Sequence, residues 1–435
     1  MQTSSIRSQI LPIVLIASVL AFPRSFLEAK LVLLGLVAIH FAIKNQSRIV
    51  IIPRPIVIFY SAMIALGLIW SAIGYLRGNP MQAITEALRL YLAWSALIAM
   101  LLVYLRQFDA NLVIHRGVLL AGMITAFINL SFIASAYQGI SLYPDWMREA
   151  MLLRVGFHDG YVQLVSHNVA MLLFIIPYLV VTLLRRDGRS EHTILTAFVL
   201  VAALLAAILS GRRALWLVMA LTPFLMWGLS ILTRTGGRIR YPVLFKTVSV
   251  LGLVLAIAAP VALLREDTLE FLLHAFSADD LRSIQSRYLI QGFQDHFVFG
   301  SGFGGYAGFL RNEERPWLYE LTYLQLLFNF GVVGAALFAT VVGYTVIKAL
   351  RTIRYYTPPS SRGAIAILTG VLAVLIGAYS NPYLGSFDYL MIVGFLPLIA
   401  SAAVPAGRPR HLHSPAREAP GSRGHAVSAI QGRNA

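Results

Sequence analysis

Long stretches free of Asp, Glu, Lys and Arg alternate along the chain with short charged segments. The clearest run over residues 55–76, 117–144, 161–184, 192–211, 214–233, 247–264, 321–347, 363–387 and 389–407. Another covers 83–105, interrupted near its start by Glu86 and Arg89. Two shorter ones, 8–23 and 31–43, read as a tilted pair or a re-entrant hairpin. A helix needs roughly 20 apolar residues to cross the hydrocarbon core. In lipid, helices satisfy their own backbone. The pattern therefore predicts an all-α polytopic membrane protein of about twelve transmembrane helices.

Composition agrees. Of 435 residues, 58% are hydrophobic and 12% charged, with a mean hydropathy of +0.74. Soluble domains carry about 25% charged residues, which excludes a water-soluble globule. The absence of cysteine excludes disulfides, thiolate metal sites and a Cys nucleophile. The net charge is +16. In a membrane protein that excess belongs on cytoplasmic loops, so it does not argue for nucleic acid. With the N-terminus inside, 22 Lys and Arg fall on inner segments and 12 on outer ones. Both termini are then expected in the cytoplasm.

Two sizeable outer segments result, 139–160 and 265–319, the latter a long periplasmic loop expected to contain short helices. Residues 1–404 form the expected transmembrane domain. Residues 405–435 are rich in Pro, Arg, His and Ser without apolar period, and read as a disordered basic cytoplasmic tail. Residues 18–22 resemble a signal-peptide cleavage region. Pro23, Arg24 and another apolar run follow at once, so cleavage is not expected.

Charges beside the bilayer are functional candidates by default. Ser210-Gly211-Arg212-Arg213-Ala214 must be a tight turn between two apolar helices, placing both guanidiniums at the outer interface. They read either as snorkelling anchors or as a grip for a phosphate or diphosphate, which Arg holds with parallel hydrogen bonds. Arg282 and Arg287 stand five apart in the long loop. Gly300, Gly302, Gly304 and Gly305 follow in a segment that permits close backbone approach to a ligand, or is simply a turn back to the membrane. Glu320 sits at the edge of the tenth span, as an interface residue, an ion-pair partner or a general base.

Weaker signals complete the set. Glu86 and Arg89 are spaced to pair across one helical turn. His158, Asp159, His167 and Asn168 cluster around the outer start of the sixth span, as cavity lining or satisfied interfacial groups. No H-E-x-x-H, no G-x-S-x-G and no carboxylate cluster of metal-binding spacing occurs. His411 and His413 stand alone in the tail. No metal or cofactor is expected.

Together these pieces resemble the O-antigen ligase and Wzy-type polysaccharide polymerase superfamily over about residues 165–334. Ser166-His167-Asn168 before an apolar helix is similar to the family's Asn-containing span start. Ser210-Gly211-Arg212-Arg213-Ala214 resembles its Ser-x-Ser-Arg-Gly/Ala turn, with Arg213 on the functional arginine. Ser286-Arg287 through Gly304 resembles the outer-loop pattern of Arg, amphipathic helix and Gly-x-Gly. Glu320 through Leu327, then Gly331 and Gly334, is similar to the segment His-Asn-x-Tyr-Leu followed by Gly-x-x-Gly. Glu320 falls where ligases carry histidine, a departure that leans toward polymerase.

The resemblance implies a bacterial inner-membrane glycosyltransferase. It would move a glycan from undecaprenyl diphosphate to a sugar hydroxyl on the periplasmic face, inverting and metal-independent, in exopolysaccharide or O-antigen synthesis. Glu320, Arg213 and Arg287 would be catalytic. Arg212, Arg282, Gly300, Gly302, Gly304, Asn168 and Tyr323 would bind substrate. Expected partners are the undecaprenyl-diphosphate-linked oligosaccharide, membrane lipids, a chain-length regulator and a flippase. The alternatives are an O-antigen ligase, a secondary transporter and a metal-dependent glycosyltransferase.

Overall fold

A computed structural model describes residues 6–47, 49–158, 161–185, 192–233, 280–311, 313–356 and 358–402. The expected span at 247–264, the loop start at 265–279, Asp159 and the tail at 405–435 lie outside these residues.

The described chain is helical, with one small hairpin. In order it forms α1 (Ile6–Ala21), α2 (Leu27–Lys44), α3 (Arg54–Leu76), α4 (Met81–Leu105) and α5 (Ala110–Gln138). Next come the short α6 (Asp145–Met151), the antiparallel pair β1 (Arg154–His158) and β2 (Tyr161–Val165), and α7 (Asn168–Leu184). The remainder is α8 (His192–Leu209), α9 (Arg213–Leu232), α10 (Asp280–Asp295), α11 (Thr322–Arg354), α12 (Pro358–Gly377) and α13 (Phe387–Ala400).

Six helices are long and apolar enough to cross a bilayer: α3, α4, α5, α9, α11 and the Ser360–Gly377 part of α12. Segments of α1, α7, α8 and α13 are shorter apolar helices. By length and composition, the described residues thus give six spanning helices where twelve were expected. Charge-free runs overestimate helix length wherever a turn or strand is itself apolar. Residues 161–165, counted into the sixth span, pair instead with β1. Their alternating Tyr-Val-Gln-Leu-Val pattern suits a pleated ribbon, and Leu164 N–H donates to the Ser210 carbonyl at 3.1 Å. The fifth span, expected at 117–144, is a helix over 110–138. Asp109 caps its start through Leu112 N–H at 3.2 Å, and Gly139 closes it at φ 67°.

Small residues let the helices approach closely. A β-carbon at Gly370 or Gly377 of α12 would lie 2.6 Å from Phe174 or 2.5 Å from Leu173 of α7, and α7 is buried from Leu172 to Val181. Large apolar side chains such as Ile39, Phe127, Phe198 and Phe224 instead face outward. A water-exposed surface disfavours so many, and lipid contact accounts for them.

One break in helical order lies within α11. Gly331 interrupts α11 at φ 60°, ψ −170°. The chain at 297–302 fills the gap, since Val332 and Val333 N–H donate to the Phe297 and Val298 carbonyls at 2.9 and 3.1 Å. In return, Ser301 and Gly302 N–H donate to the Phe328 and Asn329 carbonyls at 2.8 and 3.0 Å. Trp70 Nε1–H of α3 donates to the Phe299 and Phe330 carbonyls at 2.8 and 3.0 Å, locking α3 into the same knot.

Candidate functional site

At the end of the bundle where α4 and α11 begin lies a cavity of about 460 Å³. Four cations line it: Arg24 from the turn between α1 and α2, Lys30 of α2, Arg89 of α4, and Arg315 from the coil before α11. Two carboxylates do so as well, Glu86 and Asp388. Tyr91, Trp94, Phe303 and Trp317 supply aromatic wall. Such a mixture, mostly apolar with a few convergent polar groups, is the usual make-up of a small-molecule site.

Local backbone chemistry aims these groups. The α1–α2 turn is tight, and both Arg24 and Phe26 adopt left-handed conformations at φ 60° and 53°. Non-glycine residues hold such angles only when their surroundings compensate. Asp388 supplies that compensation, because its Oδ2 accepts Arg24 N–H at 2.8 Å. Its Oδ1 meets Lys30 Nζ at 2.5 Å, and Nζ also donates to the Phe22 carbonyl at 2.6 Å. The Arg24 guanidinium reaches over to the Pro382 carbonyl. On α4, residues Arg89–Trp94 form a π-helical turn. Such widened turns recur at functional sites, and this one contributes Arg89, Leu90, Tyr91 and Trp94 to the wall.

The cationic character extends beyond the cavity. His167, just before α7, contacts Ser25 Oγ through Nδ1 at 3.3 Å. Its pKa is pushed down to about 4, first by burial and then by the charges of Arg24, Arg212 and Lys30 around it. The Arg212 guanidinium donates to the Ser166 carbonyl at 3.2 Å. The turn at 210–213 is therefore neighbour to the cavity through His167, although Arg212 and Arg213 do not line it. Arg213 opens α9 and is half-buried.

The remaining sequence-predicted residues take other places. Asn168 is fully buried. Its Oδ1 accepts from Ser166 Oγ at 2.7 Å and Asn129 Nδ2 at 3.1 Å, a polar knot between α5 and α7. Tyr323 Oη donates to the Leu375 carbonyl at 2.5 Å, tying α11 to α12. Arg287 is exposed on α10 and does not line the cavity. Gly300 and Gly302, at φ 68° and 73°, pack onto backbone: a β-carbon there would come within 2.2 Å of the Asn329 carbonyl and 2.3 Å of Gly74 N. These two glycines are needed for chain crossing. Gly304 alone of the three lines the cavity.

Glu320 is held from both sides. Its Oε2 accepts from Arg282 Nε at 2.7 Å, and its Oε1 from Arg311. Gln285 Oε1 accepts the backbone N–H of Glu320 and Leu321 at 3.1 and 3.2 Å. Glu320 thus ties α10 and the coil to the start of α11. Glu86 does not pair with Arg89 as its spacing suggested. Arg315 stands 3.7 Å from its Oε1 instead, brought there by the coil.

Sequence reasoning missed Arg24, Lys30, Arg315 and Asp388 as site residues. The available signal was a lysine and an aspartate beside long apolar runs, each of which served only to mark where a run ended.

No protein-family model matches the chain, and no curated protein matches it.

Proposed function

We propose that the chain is a membrane glycosyltransferase that moves a glycan from a polyprenyl-diphosphate carrier to a sugar hydroxyl, as a polymerase of lipid-linked repeat units. Its helices are read as part of a bundle of about twelve spans whose cavity end faces the periplasm. The observation that carries this reading is the cavity lined by Arg24, Lys30, Arg89 and Arg315 with aromatic walls, opening among helices built for lipid.

The chemistry follows from the groups present. The acceptor oxygen attacks the anomeric carbon while the bond from that carbon to the diphosphate oxygen breaks. The electron pair leaves with the diphosphate, and the configuration inverts. Negative charge grows on the departing oxygens, where fixed guanidiniums stabilise it at no cost in reorganisation. Arg24, Arg89 and Arg315 are assigned to that role, with Arg212 behind them at His167. The apolar faces of Tyr91, Trp94 and Trp317 suit the C–H faces of sugar rings.

The test is reconstitution in proteoliposomes with lipid-linked oligosaccharide extracted from cells lacking the gene. Longer lipid-linked glycans should form with wild type, and chain growth should stop in Arg24→Ala and Arg315→Ala at unchanged protein level. Normal chains from both variants would remove the mechanism. Reporter fusions between residues 305 and 315 should report the periplasm, and a cytoplasmic signal there would refute the orientation.

A further inference from the structure

Transfer to a hydroxyl needs a group to take its proton; among the described residues two carboxylates line the cavity, Asp388 and Glu86, and Glu320 stands beside it at the start of α11. An acceptor proton requires a carboxylate oxygen with a free lone pair facing the substrate. Glu320 has Arg282 on one oxygen and Arg311 on the other, and it is not among the cavity-lining residues. Asp388 has Lys30 on one oxygen and the Arg24 N–H on the other, and only 2% of the residue is exposed. Breaking either contact would strip a buried cation or a strained turn of its partner.

Glu86 differs from Glu320 in lining the cavity and from Asp388, whose side chain is 4% exposed, in its accessibility. It lines the cavity, and 23% of its side chain is exposed. Among the described residues its one ion-pair contact, Arg315 at 3.7 Å, is beyond hydrogen-bond length. It stands one turn before Arg89, beside Ala83 and Ala87, which line the same wall.

Resting on the glycosyltransferase reading above, we infer that Glu86 is the catalytic base. Its carboxylate takes the proton of the acceptor hydroxyl as that oxygen bonds to the anomeric carbon. The proton ends on Glu86, the electron pair of the broken bond ends on the diphosphate, and no further reactant is needed. The nearby Arg315 then spans both events, being close to the base and on the wall that holds the leaving group.

The experiment measures initial rates of chain growth in nanodiscs for wild type, Glu86→Gln, Glu86→Asp and Glu320→Gln, with binding of undecaprenyl diphosphate measured in parallel. General-base catalysis contributes about 10²–10⁴-fold. Glu86→Gln should therefore lower kcat at least 100-fold, with undecaprenyl diphosphate binding within about threefold of wild type. Retained binding shows that the variant is folded. Glu86→Asp should recover part of the rate. A wild-type rate in Glu86→Gln, or a loss confined to Glu320→Gln, would overturn the assignment while leaving the transferase reading intact. Absence of transfer by the wild-type chain would instead contradict the reading itself, and the base would fall with it.

Discussion

Lys30 Nζ lies 2.5 Å from Asp388 Oδ1, and each side chain is at most 4% exposed. The pair joins the start of α2 to the start of α13, far apart in sequence, and through Arg24 N–H it also fixes the turn between α1 and α2. Removing one member of a buried pair leaves an uncompensated charge, at a cost of about 3–5 kcal/mol. Lys30→Met and Asp388→Leu should each lower the thermal midpoint in detergent markedly. The double variant should recover much of the loss, as replaced buried pairs often do. A double variant less stable than both singles would show that the ion pair is not the source of the effect.

Gly302 and Gly35 offer an opposed pair. Gly302 sits at φ 73° with Gly74 N only 2.3 Å from where a β-carbon would go, whereas Gly35, in α2, has open space there. Gly302→Ala should cost about 2 kcal/mol or more and disturb the knot at 297–302. Gly35→Ala should be neutral or stabilising by up to about 1 kcal/mol, through helix propensity. Thermal unfolding of both variants checks this, and equal effects would contradict the packing described at Gly302.

Much of the fold was legible because burial in lipid writes itself as charge-free runs of characteristic length. The turn at 210–213 was located from such a break, whereas the long loop was expected to hold short helices without bounds for any of them, of which α10 is one. The cavity was not legible. A rule that ends a span at a charge places Lys30 and Asp388 outside the helices by construction, so their burial and their meeting are invisible to it. Glu320 stood out in sequence through its position at a span edge, but Arg282 and Arg311 reach it only through the folded loop. The glycine segment read either as a ligand cradle or as a turn back to the membrane. The distances show that Gly300 and Gly302 instead let one chain segment cross another.

His167 gives stability a defined pH dependence. Its folded pKa is about 4, below its ordinary value of 6.5. Above pH 6.5 neither state carries the proton, and this group adds no penalty. Between pH 6.5 and 4 the unfolded chain binds a proton that the folded chain refuses, so stability falls as pH falls. Arg24, Arg212 and Lys30 are the charges that face it. The thermal midpoint of wild type minus that of His167→Asn should therefore decline from pH 7 to pH 4.5. A constant difference would mean that His167 is accessible to protons in the fold.

The most direct test is binding of undecaprenyl diphosphate to the purified chain in nanodiscs. Wild type should bind it. Arg24→Ala and Arg315→Ala should each weaken binding at least tenfold, about 1.4 kcal/mol, while Arg154→Ala, on β1 and not among the cavity-lining residues, should leave it unchanged. Equal affinity in wild type and both cavity variants would contradict the assignment of this cationic cavity as the diphosphate site.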